Sequence, residues 1–197
     1  IDCTTADTSI GSTDYVAIRQ SIEGVQWQPF AQRDLILSFW VKATKTGTYC
    51  VGLVNDGNDR CYVGEYTVDV TDTWEYKTIT VAGDTSGTWV TTTTNVGIAL
   101  TFDLGSGSNY NGTAGAWGSG ALRTSGTVSL STNAGATFYI TGVQLEAGTT
   151  ATPFEYRQYG TELALCQRYY ERTNGQGIYF LRIKTEKGDF VTKIIKE

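Results

Sequence analysis

Aromatic side chains set among small polar residues are the most suggestive chemistry in this chain. Residues 82–95 read Ala-Gly-Asp-Thr-Ser-Gly-Thr-Trp-Val-Thr-Thr-Thr-Thr-Asn and carry Trp89. Residues 105–120 are richer still in Gly and Ser, and carry Tyr110 and Trp117 with Asn109 and Asn111 flanking the tyrosine. Indole and phenol rings stack on the apolar faces of sugar rings, and side-chain amides read sugar hydroxyls. Trp89, Trp117, Tyr110, Asn109 and Asn111 are therefore the candidate carbohydrate-binding set. Polar stretches this long inside a compact domain are usually functional or disordered, and a disordered linker rarely carries a Trp. The competing reading is that Trp89 and Trp117 plug the open ends of a sandwich as core. Trp27, beside Pro29 and Phe30, is a third loop candidate, whereas Trp40 and Trp74 lie in strand patterns and read as core.

Other chemistries fare worse. The 197 residues include no His, so there is no Ser-His-Asp or Cys-His nucleophile pair and no His-ligated zinc. Paired carboxylates could hydrolyse glycosides, but Asp84 and Asp103 look like turn and strand-end residues, and no enzyme activity is expected. The acidic turn Asn55-Asp56-Gly57-Asn58-Asp59 is shorter than a calcium-hand loop, so it reads as a solvated hairpin turn and no cofactor is expected. A net charge of −5 argues against a nucleic-acid partner, which would demand a basic stripe. No apolar run approaches the ~18 residues of a spanning helix, and Ile1-Asp2-Cys3-Thr4-Thr5 does not resemble a signal peptide. With no Met in the sequence, the chain is expected to start downstream of its own start codon.

The elements that must position these residues are strands. A period of two runs through 15–22, 35–43, 48–54, 60–68, 74–81, 96–104 and 136–145. The abundant Thr suits a pleated surface. In 74–81, Trp74, Tyr76, Thr78 and Thr80 oppose Ile79 and Val81, and the pattern leaves open which set is buried. The hairpin around Gly57 is expected to pair Val54 with Arg60. That register places Cys50 and Cys61 on opposite faces, which disfavours a bridge between them. Four cysteines (Cys3, Cys50, Cys61, Cys166) allow three full pairings; buried free thiols are the preferred reading. Helical spacing of Leu163, Cys166, Tyr169 and Tyr170 marks 160–172 as the one helical stretch. A hairpin follows, 178–185 and 189–196 around Glu186-Lys187-Gly188. The tail after Tyr170 carries a net charge of +2 against −7 on the rest, a break that suggests a separate module. The expected layout is an all-β sandwich over 1–159, a helical or extended connector over 160–174 and a β-hairpin over 175–197.

Three sets of segments carry a resemblance. They are Leu37–Lys42 with Gly47–Val51; Thr73–Ile79 with Gly83–Trp89; and Phe138–Gly148 running into Ala151–Glu155 and Leu163–Tyr170. Together they resemble a jelly-roll, carbohydrate-binding-module-like domain of bacteriophage and prophage tail-fibre proteins. The resemblance covers most of residues 1–172 and implies a jelly-roll β-sandwich of two antiparallel sheets. It also implies a non-enzymatic virion component, a homo-oligomer and a host-glycan partner. That family usually has further strands upstream, so the chain is expected to begin inside the module. Related sandwiches often hold calcium beside acids near the last strand; here Ile140-Thr141-Gly142-Val143 lacks them. The tail Gly177–Lys196 is similar to the end of a type IX secretion sorting domain, which would instead imply a secreted bacterial adhesive or carbohydrate-binding subunit on the cell surface.

Overall fold

Leu35, Leu37, Phe39 and Val41 alternate with Ile36, Ser38, Trp40 and Lys42, and this alternation organises the molecule. A computed structural model describes residues 1–167, 178–185 and 188–195. In it the chain forms two compact units, 1–154 and 155–197. In the first unit, strand β1 (Ala17–Glu23) leads through a single helical turn, α1 (Gly24–Trp27), to β2 (Leu35–Ala43). Then come β3 (Gly47–Val54), β4 (Cys61–Val68), β5 (Glu75–Val81), β6 (Val96–Asp103), the two-residue β7 (Trp117–Gly118) and β8 (Phe138–Ala147). They build two antiparallel sheets, β1-β6-β3-β4-β7 and β5-β2-β8. This is an all-β sandwich, as the period-two pattern predicts. The second unit contains α2 (Tyr159–Gln167) and an antiparallel hairpin of β9 (Ile178–Thr185) and β10 (Gly188–Ile195). The expected helical residues 168–172 lie outside the described residues, as do Glu186 and Lys187 of the hairpin turn.

One core fills the space between the sheets. Leu35, Leu37, Phe39, Val41 and Ala43 of β2 face Tyr49, Val51 and Leu53 of β3, Tyr66 and Val68 of β4, and Ile98, Leu100 and Phe102 of β6. Phe39 packs its ring edge-on against Tyr66 at 4.9 Å and against Phe102 at 5.2 Å, joining the sheets at their centre. Ile79 and Val81 are buried in the same core, which settles the ambiguity in β5: Trp74 and Tyr76 point away from it. The expectation that Trp40 and Trp74 are core is therefore corrected. Each is 43% exposed, because the odd residues of β2 and β5 take the inner face and the even ones the outer.

The hairpin register also differs from expectation. Val54 pairs with Cys61, not Arg60. Buried Asn55 builds a wider turn: its Oδ1 accepts from the backbone N–H groups of Asp59 (3.2 Å) and Arg60 (3.1 Å). Asn58 takes a left-handed φ of 56°. The one-residue slip moves Cys61 onto the same face as Cys50, four positions away along the ladder, or about 13 Å. Cys3, Cys50 and Cys61 are unbridged.

The outer face of the five-stranded sheet is not open. Cys50, Val54, Cys61, Val63, Ala99, Thr101 and Asp103 are all buried. The 105–136 segment folds across them, placing Ala121 on Cys50 and Val63, and Leu122 on Val54 and Cys61. Gly52 permits the approach, since a Cβ there would lie 3.3 Å from the Leu122 Cα. Arg123, only 7% exposed, pins the cover. Its guanidinium donates to the Ser106 carbonyl, to the Thr124 carbonyl at 3.2 Å and to the Thr127 carbonyl at 3.1 Å. It also lies 3.8 Å from the Asp103 carboxylate. Burial pushes the Asp103 carboxyl above its ordinary value, against the hydrogen bonds from Ser106 and the charge of Arg123.

A raised folded-state value means that stability from this group is full below the unfolded value and is lost as pH rises through the folded one. Urea unfolding of the wild type and of Asp103→Asn across pH 4–7 (about the carboxylate range) checks this. Stability of the wild type should gain on that of the variant as pH falls, and a gap that narrows or stays constant would contradict it.

Candidate functional site

The two loops singled out by composition are tied into the fold by hydrogen bonds and ring contacts. Arg60 donates to the Asp84 carboxylate through Nε (2.6 Å) and Nη2 (2.9 Å), and Asn55 donates to the Thr88 carbonyl at 3.1 Å. These bonds hold the 82–95 loop against the β3–β4 turn. Burial pushes Asp84 up, but the Arg60 hydrogen bonds and charge and the Ser86 N–H outweigh it and hold the carboxyl below its usual value. Trp89 donates its indole N–H to the Ser86 carbonyl (3.0 Å) and Trp117 to the Ala82 carbonyl (2.7 Å). Their rings meet edge-to-face at 5.4 Å. Trp117 also packs on Tyr62 at 5.4 Å, and Trp89 on Trp27 at 5.6 Å. The result is a continuous chain of rings laid on the core. Trp27 is 2% exposed, which corrects its reading as a loop candidate: α1 turns its indole inward beneath Trp89.

Tyr110, Asn109 and Asn111 are not brought to the two tryptophans. Half-buried Tyr110 packs on the small cluster of Val54, Cys61 and Leu122, and its hydroxyl donates to the Thr13 carbonyl at 3.1 Å. Asn109 and Asn111 are exposed beside it. The five residues chosen from sequence thus fall in two places, and both indole N–H groups are already spent on backbone carbonyls.

The outer face of the three-stranded sheet is different. Register places Trp40 opposite Tyr76 on one side and Thr141 on the other, and Ser38 opposite Thr78 and Gln144. One step further along, Lys42 lies opposite Tyr139, with Trp74 beside it. Trp40, Trp74, Tyr76, Tyr139 and Phe154 are each 40–45% exposed. Such rings are packed on one side and open on the other. Trp40 and Tyr76 tilt together at 5.4 Å, and Trp74 and Tyr139 at 6.5 Å. The Lys42 ammonium sits over the Tyr139 ring at 4.7 Å and the Trp74 ring at 5.7 Å, within the range of a cation–π contact.

A groove of about 340 Å³ opens on this face, lined by Ser38, Trp40, Tyr76, Gly142, Thr152, Pro153 and Phe154. Its floor depends on Gly142. The β2–β8 register shifts at this point, Gly142 has a φ of +59°, and a Cβ there would touch Trp40 at 3.4 Å and Phe154 at 3.8 Å. A glycine bulge thus bends the strand and leaves room between two rings. The returning 148–154 segment is held by Glu146, whose carboxylate accepts the Thr152 N–H at 3.1 Å and the Thr152 hydroxyl at 2.5 Å. Aromatic surface, hydroxyls and a nearby amide converge here. Among the described residues, no group of three or more His, Cys, Asp or Glu could hold a metal ion.

No family model, curated protein or solved structure matches the chain. The site must be judged on its geometry. Sequence reasoning missed it because it weighed each Trp by its local context. The signal was present in β2 and β5: once Leu35, Leu37 and Phe39 claim the inside, Trp40 cannot join them.

The two sets of aromatics should separate in a stability measurement. Trp89→Ala and Trp117→Ala remove packed rings and leave a carbonyl without its donor. Each should cost about 2–4 kcal/mol in urea unfolding. Trp40→Ala, which removes a half-open ring from the surface, should stay within about 1 kcal/mol of wild type. Equal losses at all three positions would contradict this division.

Proposed function

We propose that this chain is a non-enzymatic glycan-binding module of an extracellular assembly, a tail-fibre-type virion component with a jelly-roll sandwich. The observation that carries the reading is the Trp40–Tyr76 pair at the mouth of the Gly142 groove. Two adjoining rings are held open to solvent, while beside them Ser38 is buried and the Thr152 hydroxyl is engaged with Glu146. Contiguous exposed aromatic surface of this kind marks an interaction site. A sugar ring offers apolar C–H faces to such rings. The site is fixed by strand register and not by loop conformation, so little ordering cost opposes binding. It is a binding face in this reading: Asp84 and Asp103 are spent on Arg60 and Arg123, Glu75 on Lys77, and Glu146 on holding Thr152 of the returning segment.

Homo-oligomerisation belongs to the same proposal, since shallow aromatic sites gain affinity by repetition. A secreted bacterial adhesive or carbohydrate-binding subunit is the second reading. The specific feature favouring it is the β9–β10 hairpin, which belongs to a compact unit separate from the sandwich and would serve in sorting or assembly.

A glycan array probed with the full chain tests the binding function. Binding should be lost or weakened at least about tenfold in Trp40→Ala and Tyr76→Ala, equivalent to about 1.4 kcal/mol, and kept in Trp89→Phe. Glycan binding that survives both surface substitutions, or no binding to any glycan by the wild type, would overturn the reading.

A further inference from the structure

Among the described residues, Lys42 is the cation placed among the exposed rings of this face, and its geometry narrows the class of glycan. It follows Trp40 by two residues on β2, so both project from the same side about 7 Å apart. Trp74 and Tyr139 flank its ammonium. Among the described residues it has no carboxylate partner: the ion pairs join Arg60 to Asp84, Lys77 to Asp69 and Glu75, and Arg123 to Asp103. Lys77, on the neighbouring β5, shows the contrast. It sits on the inner-facing side of its strand and is matched by two acids. Lys42 is only half-buried, so its charge remains available to a ligand resting on the two rings.

We propose that the Trp74–Lys42–Tyr139 row is a subsite for an acidic sugar, one whose ring carries a carboxylate. The adjoining Trp40–Tyr76 groove takes a neutral neighbouring unit. The rings stack on the C–H faces of the acidic residue while the ammonium meets its carboxylate. A charge already in contact with two aromatic faces is partly desolvated, so an anion placed there gains more than at a bare surface lysine. This assignment rests on the glycan-binding reading and adds a charge requirement to it. The site favours a glycan over a second copy of this chain because it pairs stacking surface with a single unmatched charge. A protein face able to cover it would have to supply its own acid at that point.

The test is calorimetric titration of the full chain with matched oligosaccharides. One ends in a uronic acid, another is its methyl ester, and a third is the neutral parent. The wild type should bind the acid about five- to tenfold more tightly than the ester, and the preference should shrink between 0.05 and 0.5 M salt, as screening closes in. Lys42→Met should abolish the preference while retaining the neutral parent; Lys42→Arg should preserve it. Equal affinity for acid, ester and parent in the wild type would overturn the acidic subsite and leave the glycan reading standing. A chain that binds none of them and self-associates in a manner abolished by Trp40→Ala would overturn both, assigning the face to a second copy.

Discussion

Everything described above depends on which side of β2 faces the core. The strand lies between β5 and β8 and is hydrogen-bonded to both. Its register therefore cannot slip without disturbing two ladders. Leu35, Leu37, Phe39 and Val41 are essentially sealed from water, and burying each is worth about 1.5–3 kcal/mol. A slip of one residue would turn all four outward and drive Trp40 and the Lys42 ammonium inward. Hydrophobic burial thus sets the inner face of the three-stranded sheet. Its exposed aromatic face is the necessary remainder of the same alternation. The exposed aromatic face is positioned by the strongest force in the fold.

The two sheets have taken different roles. On the five-stranded sheet many outward residues are small or polar, among them Cys50, Gly52, Cys61, Ala99, Thr101 and Asp103, beside Val54 and Val63. Small side chains let the 105–136 segment lie close, and Arg123 satisfies the carbonyls that this irregular cover would otherwise bury unpaired. The Trp chain from Tyr62 to Trp27 anchors the 82–95 loop in the same manner. Long Gly- and Ser-rich segments in this protein are therefore a second packing layer. The three-stranded sheet is the one that presents large rings to solvent, with a bulge at Gly142 to make room between them.

Much of this was legible in the sequence. Seven strands follow the period of two, and β2 ends where its pattern ends. What escaped was mostly non-local. The two-residue β7 is too short to leave a pattern and exists because Trp117 docks on Tyr62. The turn after Val54 widened because Asn55 binds its own backbone and Arg60 is drawn to Asp84 across the chain, neither of which alternation can report. The tryptophans show the same limit of local reading. Trp89 and Trp117 sit among Gly and Thr, which suggests exposure, yet their partners are other rings distant in sequence. Trp40 sits among Phe and Val, which suggests burial, yet its parity puts it outside. For an indole in a β protein, strand parity outweighs the composition of its neighbourhood.

The central claim is that ligand meets the outer face of the β5-β2-β8 sheet. The chain contains five tryptophans, and each contributes one indole N–H resonance to a nitrogen–proton correlation spectrum, assignable by Trp→Phe replacement. Titration with a glycan that the protein binds should shift the Trp40 and Trp74 resonances and leave those of Trp27, Trp89 and Trp117 in place. Movement of the Trp89 and Trp117 signals, with Trp40 and Trp74 unchanged, would contradict the account and return the site to the loops.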